Sequence, residues 1–248
     1  MTPPGARDNP ASLGAILHEK RAAGRAALWT GSGLAVPPAL EHALEALLER
    51  LDTANGLVPG KAVTAVIVSH HHADHAAGVR AVVSRGISVI GHRATRALYE
   101  EWVARPAVLF PDALAANPGA LDFIAVDEHL VLEDGMRRLD VYHAVGHMHM
   151  SDAVFAYLPE ERILMEGDFT DDTWEFNWWA GALTANIERY GIEPVLDIPV
   201  HGSVGPIDEK LRITDGQVGN AVVFCEELAA RGRYLLGCPV QYSTQGPR

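Results

Sequence analysis

The chain is short of cysteine, of basic charge and of long apolar runs, and each shortage removes a class of function. Two cysteines, Cys225 and Cys238, occur in 248 residues. Their spacing is not that of a zinc ribbon. They read as free thiols of a cytoplasmic protein, where a disulfide would be unusual. Lysine and arginine number 20 against 32 aspartates and glutamates, a net charge of −12. That balance argues against a general nucleic-acid binder, whose affinity rests on cations at phosphates. No apolar stretch approaches the ~20 residues that cross a bilayer. The opening MTPPGARDNP lacks a charged head followed by an apolar core, so it does not read as a secretory signal. Residues 1–10 read as flexible. No Lys-Ser/Thr follows Thr30-Gly31-Ser32-Gly33 at phosphate-loop spacing, no internal repeat is present, and no serine or cysteine stands out as a nucleophile. What remains is ordinary globular composition, 48% hydrophobic and 21% charged, at a length that suits a single domain over 1–248.

Histidine, by contrast, is plentiful, with 12 residues. The densest run is Ser69-His70-His71-His72-Ala73-Asp74-His75, which contains H-x-H-x-D-H. Before it, Ala62–Val68 is a short β-branched apolar run, the pattern of a buried strand. After it, Ala76–Ser84 fits a helix. Four metal-capable side chains therefore sit on a loop at a strand end, and imidazole with carboxylate suits zinc, iron or manganese. His70 and His72, two apart on an extended loop, can grip one ion. Asp74 and His75 at the helix start can grip a second. A histidine run by itself is often a solvated loop. Here further ligand types follow, each where a predicted strand gives way to a loop: His147 and His149, then Asp168, then His201.

These ordered motifs resemble those of the metallo-β-lactamase-fold hydrolase superfamily, from Val63 to about Gly205. The resemblance implies an α/β fold, an αβ/βα four-layer metallo-β-lactamase-like sandwich with metals in a cleft at one edge. It implies that His70, His72 and a third histidine hold one ion, that Asp74, His75 and His201 hold another, and that Asp168 bridges them. The family's usual Gly-His nominates His147 as the third histidine. A gap-free alignment through the hairpin Ala153–Gly167 nominates His149 and is favoured, leaving His147 as a neighbour or the alternative ligand. His71 should point away from the ions. His143 reads as a satisfied core histidine or a neighbour of the site; His18, His42, His92 and His129 read as surface residues.

The region before the first motif departs from the family. Residues 11–24 and 38–52 read as helices and Ala26–Leu34 as holding one short strand, so the first sheet looks reduced, and a homodimer is one way to complete it. Further strands are expected at Ile87–Ile90, Leu121–Val126, Met136–Val145 and within Ala153–Gly167, and helices at 94–104, 178–190 and 213–231, with a loop over 107–120 that could cover the site. Trp174, Trp178 and Trp179 follow Asp168 closely and suit either core packing or a substrate-pocket wall.

The chemistry implied is a metal-dependent hydrolase. Two ions, zinc first among candidates with iron or manganese also suited, lower the pKa of a water to give a metal-bound hydroxide. Asp74 would orient that water or carry a proton. A small ester-, lactone- or amide-like substrate is the expectation, because the chain lacks the large inserted domain of nucleolytic relatives and keeps an Asp where true β-lactamases usually do not. A mononuclear-iron sulfur dioxygenase-like oxidoreductase and a non-catalytic family remnant are the alternatives.

Overall fold

The computed structural model describes residues 26–30 (backbone only), 51–58, 60–108, 111–233, 235 and 238. The expected helix at 11–24, most of that at 38–52 and the flexible segment 1–10 lie outside them; residues 51–57 are helical.

Two sheets form among the described residues. The first contains β1 (Ala26–Thr30), β2 (Val63–Val68), β3 (Ser88–His92) and β4 (Phe123–Val126), in that order and all parallel. The second contains β5 (His129–Glu133), β6 (Arg138–His143), β7 (Val154–Leu158), β8 (Ile163–Glu166), β9 (Leu196–Pro199) and β10 (Gly205–Pro206), ordered β10-β9-β8-β7-β6-β5. It is antiparallel except for the β8–β9 pair. The helices are α1 (Ala73–Ala76), α2 (Val79–Ser84), α3 (Arg96–Ala104), α4 (Ala113–Ala116), α5 (Gly181–Tyr190) and α6 (Ile207–Ala230).

Side-chain alternation along the strands builds the layers. In β2, Val66 and Val68 face one way into a cluster with Val79, Val82 and Tyr99 of the helices. Ile67 faces the other way, into a cluster with Ile90, Val126, Val154, Ala156, Ile163 and Met165. That second cluster lies between the sheets, since its members come from both. In β7 and β8, Phe155, Tyr157 and Leu164 face outward against Ala182 and Leu183 of α5. The result is helix, sheet, sheet, helix, the expected αβ/βα sandwich.

Three local expectations need correction. The segment Ala76–Ser84 is not one helix: the first turn, α1, ends at Ala76 and α2 starts at Val79. The final helix starts at Ile207, not 213, with Asp208 and Glu209 in its first turn, where carboxylates favour the helix dipole. Between β4 and β6 lies a strand the sequence pattern did not yield. Only Asp127 and Glu128 separate β4 from β5, yet these strands belong to different sheets.

The cysteines also differ from the free thiols expected. Cys225 in α6 and Cys238 are joined in a disulfide, with Cα atoms 5.7 Å apart. Both are buried. The chain leaves α6 through Gly232, whose φ is +69°. The cysteine argument for a cytoplasmic protein therefore falls away. No helix among the described residues is long and apolar enough to cross a membrane.

Candidate metal centre

The site gathers at the ends of three strands and one loop. β2 ends at Val68, and Ser69 and His70 follow, both fully buried. His72 is the extended N-cap residue of α1, with φ −61° and ψ 149°, and Asp74 and His75 lie within that helix. This extended-then-helical course points His70 and His72 to one side and Asp74 and His75 to another. The β6–β7 loop supplies His147 and His149. Asp168 follows β8 and His201 follows β9.

The donor atoms form two groups. His70, His72, His149 and Asp168 make one, with all four donors within 4.8 Å of each other; Asp74, His75 and His201 make the second on the same measure. The Asp168 carboxylate divides between them. Its Oδ2 lies 3.5 Å from His70 Nε2 and 3.2 Å from His149 Nε2. Its Oδ1 lies 3.1 Å from His75 Nε2 and 3.3 Å from His201 Nε2. In the second group, Asp74 Oδ2 is 3.4 Å from His75 Nε2 and 3.2 Å from His201 Nε2, and these two nitrogens are 3.2 Å apart. A tetrahedral ion with bonds of about 2.0–2.1 Å needs donors about 3.3 Å apart. Five of the six spacings among Asp74, His75, His201 and Asp168 Oδ1 run from 3.1 to 3.4 Å, close to that edge.

The protonation states suit cations. Burial pushes the His70 imidazole down to about 2, helped by neighbouring His75 against the pull of Asp168. Burial and His149 also lower His72. Burial alone would raise the Asp168 carboxyl, but the imidazoles of His149 and His75 hold it well below the usual range. His70 Nε2 is buried with no hydrogen-bond partner among the described residues. Neutral imidazoles around an ionised carboxylate are the state metal binding needs.

Several residues that the sequence did not single out hold this arrangement. Asp168 sits at φ +64°, a left-handed conformation uncommon outside glycine that aspartate adopts more readily than most residues. Glu166 clasps that turn, accepting the N–H groups of Phe169 and Thr170 and the Thr170 hydroxyl. Asn186 of α5 pairs both ways with the Val145 backbone and so anchors the loop carrying His149. Asp172 accepts the Ser203 N–H at 3.1 Å and the Ser203 hydroxyl, which pins the turn after His201. A Cβ on Gly202, at φ +84°, would fall 2.5 Å from Asp172 Oδ1. His71 does turn away: its backbone N–H and Nδ1 both lie on the Asp152 carboxylate. His143 contacts Ser151 O through Nε2 and stacks on His92 at 4.2 Å.

His147 and the tryptophans take distinct places. His147 is outside both donor groups, buried against Phe169 at 4.7 Å, with neither ring nitrogen hydrogen-bonded among the described residues. Burial, then His149, pushes its imidazole down to about 4. Trp178 packs with Phe176 and with Phe224 of α6. Trp179 stacks on His149 at 4.4 Å and 12°, and its Nε1–H donates to Asp168 O at 2.7 Å. Trp174 stands edge-on to Trp179 and is 38% exposed.

Residues 42–172 match the family model of the metallo-β-lactamase superfamily. Solved structures similar to the chain include TMB-1, at 19% identity over 81% of this chain and 83% of that one, TM-score 0.55. They also include the DIM-1 metallo-β-lactamase exposed to ceftazidime, at 22% identity over 71% and 74%, TM-score 0.51. A metallo-β-lactamase from Pontibacter korlensis gives 22% identity over 71% and 75%, TM-score 0.51. At these identities the likeness is one of fold. No curated protein matches the chain.

Proposed function

The chain belongs to the metallo-β-lactamase superfamily, and from that premise we propose that it is a metal-dependent hydrolase of a small ester-, lactone- or amide-like substrate. The observation that carries the reading is the divided Asp168 carboxylate, one oxygen toward each donor group. His70, His72 and His149 with Asp168 Oδ2 would hold one divalent ion; Asp74, His75 and His201 with Asp168 Oδ1 would hold the other. Zinc is the leading candidate, because its bond lengths match the spacing of the second group, with iron and manganese also suited to these donors. Bound there, the ions would supply an activated water at neutral pH and polarise the scissile carbonyl.

The remaining work falls to the protein's own groups. Asp74 is the more exposed of the two carboxylates, 34% against 6% for Asp168, which supports it as the group that would orient water and hold a proton at the mouth of the site. His149 is 28% exposed, so the first donor group also opens toward solvent. Trp174 and the 56%-exposed Met148 next to His149 supply apolar surface beside the polar centre, the usual composition of a small-molecule site. That favours a partly apolar substrate.

The test is elemental analysis with a panel of lactone, ester, β-lactam, thioester and phosphodiester substrates. Two zinc ions per chain and hydrolysis of a lactone or ester are expected. One iron per chain, or no turnover with two ions bound, would overturn the reading.

A further inference from the structure

Ser69 lies between the two donor groups and touches a ligand of each. It is fully buried. Its Oγ is 3.2 Å from His70 Nδ1 and 2.9 Å from His75 Nδ1. His70 belongs to the first group and His75 to the second, and their rings lie 3.9 Å apart. Both rings turn Nε2 toward Asp168, so both Nδ1 atoms face away from the centre and converge on this one oxygen.

The stoichiometry of protons makes the arrangement meaningful. An imidazole that gives its Nε2 lone pair to a cation keeps its proton on Nδ1 and needs an acceptor there. A hydroxyl has two acceptor lone pairs. One serine can therefore satisfy two such rings, whereas a hydroxyl donating to either Nδ1 would force that ring's proton onto Nε2 and remove it as a ligand.

The backbone keeps the hydroxyl in place. Ser69 O accepts the Val154 N–H at 2.7 Å, tying the end of β2 to β7. On the other side is Gly167, where a Cβ would fall 2.5 Å from Ser69 Oγ and 2.7 Å from Ser69 Cβ. The glycine before Asp168 is thus the space in which the serine sits.

We propose that Ser69 is a positioning residue shared by both ions: its hydroxyl holds His70 and His75 in the Nδ1–H form and so presents both Nε2 donors at once. This rests on the two-ion reading above, which is checked first by counting ions in the wild type.

The experiment uses the full chain loaded with cadmium-113. The wild type should show two cadmium resonances, and nitrogen-15 correlation spectra should place the proton of both His70 and His75 on Nδ1. Ser69→Ala removes one buried oxygen and adds no bulk. It should shift both cadmium resonances and weaken both ions by about 10–100-fold in chelator competition, while the metal-stripped variant keeps a wild-type circular dichroism spectrum. A change at one ion alone, or at neither, overturns the shared role. So does a wild-type spectrum with either ring protonated on Nε2, a result that does not depend on the variant folding. A wild type that takes up one cadmium ion overturns the two-ion reading, and the shared role with it.

Discussion

Trp179 makes the sharpest prediction, because two of its contacts fall on candidate ligands and can be removed separately. Its indole face lies on the His149 ring at 4.4 Å, and its Nε1–H donates to the Asp168 carbonyl at 2.7 Å. Trp179→Phe keeps an aromatic face for His149 and deletes the donor. The lost bond is worth about 1 kcal/mol, and 1.4 kcal/mol is a factor of ten, so the combined affinity for the two ions held by Asp168 should fall about 5-fold. Trp179→Ala also deletes the stack, worth about 0.5–1.5 kcal/mol. That adds about 2–10-fold at the first ion, where His149 sits, and nothing at the second. The assay is competition with a chromophoric chelator, read as two dissociation constants, alongside urea denaturation of metal-stripped protein. Phe should weaken both ions evenly and Ala should weaken the first one further. Equal affinities in wild type and Trp179→Phe would refute the reasoning and return Trp179 to the substrate wall.

His149→Ala should abolish the first ion's binding and hydrolysis together, whereas His147→Ala should keep two ions; the reverse pattern in elemental analysis would restore the Gly-His assignment. Trp178→Ala should lower the apo unfolding midpoint without changing metal content, because its neighbours are Phe176 and Phe224, and Trp174→Ala should raise KM with stability intact. Peptide mapping without reductant should recover a Cys225–Cys238 cross-link, and reducing it should cost about 3 kcal/mol in urea melts, the entropy of a loop of this length. Burial pushes the Asp197 carboxyl up to about 7, against the pull of Lys210. Its stabilisation is then full below its ordinary value of 3.8 and is lost as pH rises through 7. Urea melts should show stability falling from pH 4 to 7 and levelling above that, and falling less in Asp197→Asn; equal slopes would refute a titrating Asp197. Glu166, raised likewise by burial and by Asp197, keeps the decline from vanishing in that variant.

The candidate donor groups were legible where chemistry is written in residue type and spacing. H-x-H-x-D-H after a β-branched run places four donors at a strand end, and counting back from the hairpin distinguishes His149 from His147, which the structure keeps out of both donor groups. The residues that hold the donors were not legible. Asn186, Asp172 and Glu166 are ordinary polar residues until the fold brings them to a backbone N–H, and only Ser69, adjacent to His70, stood inside the motif. Strand β5 was missed because only two residues part it from β4 and its solvent-facing alternation is short; a local pattern cannot report that the chain changes sheets there. The disulfide was missed because cysteine spacing says nothing of a helix end folding back on itself. Trp179 was read as pocket wall or packing, and neither reading anticipates an indole whose face and N–H are both taken by candidate ligands.

The donors are drawn from both sheets and from residues 70 to 201, and this has a consequence for how the protein comes to be. During synthesis His70, His72, Asp74 and His75 emerge well before His149, Asp168 and His201, so for a time four of the seven donors exist without the other three. Closing so long a stretch of chain is entropically slow, and the sheets must dock before Asp168 can reach both histidine groups. Full-affinity ion capture would therefore be a late event in folding. Each ion, on the two-ion reading, would then add its binding free energy to the docked state alone, and would serve as a latch that distinguishes a finished molecule from a nascent one.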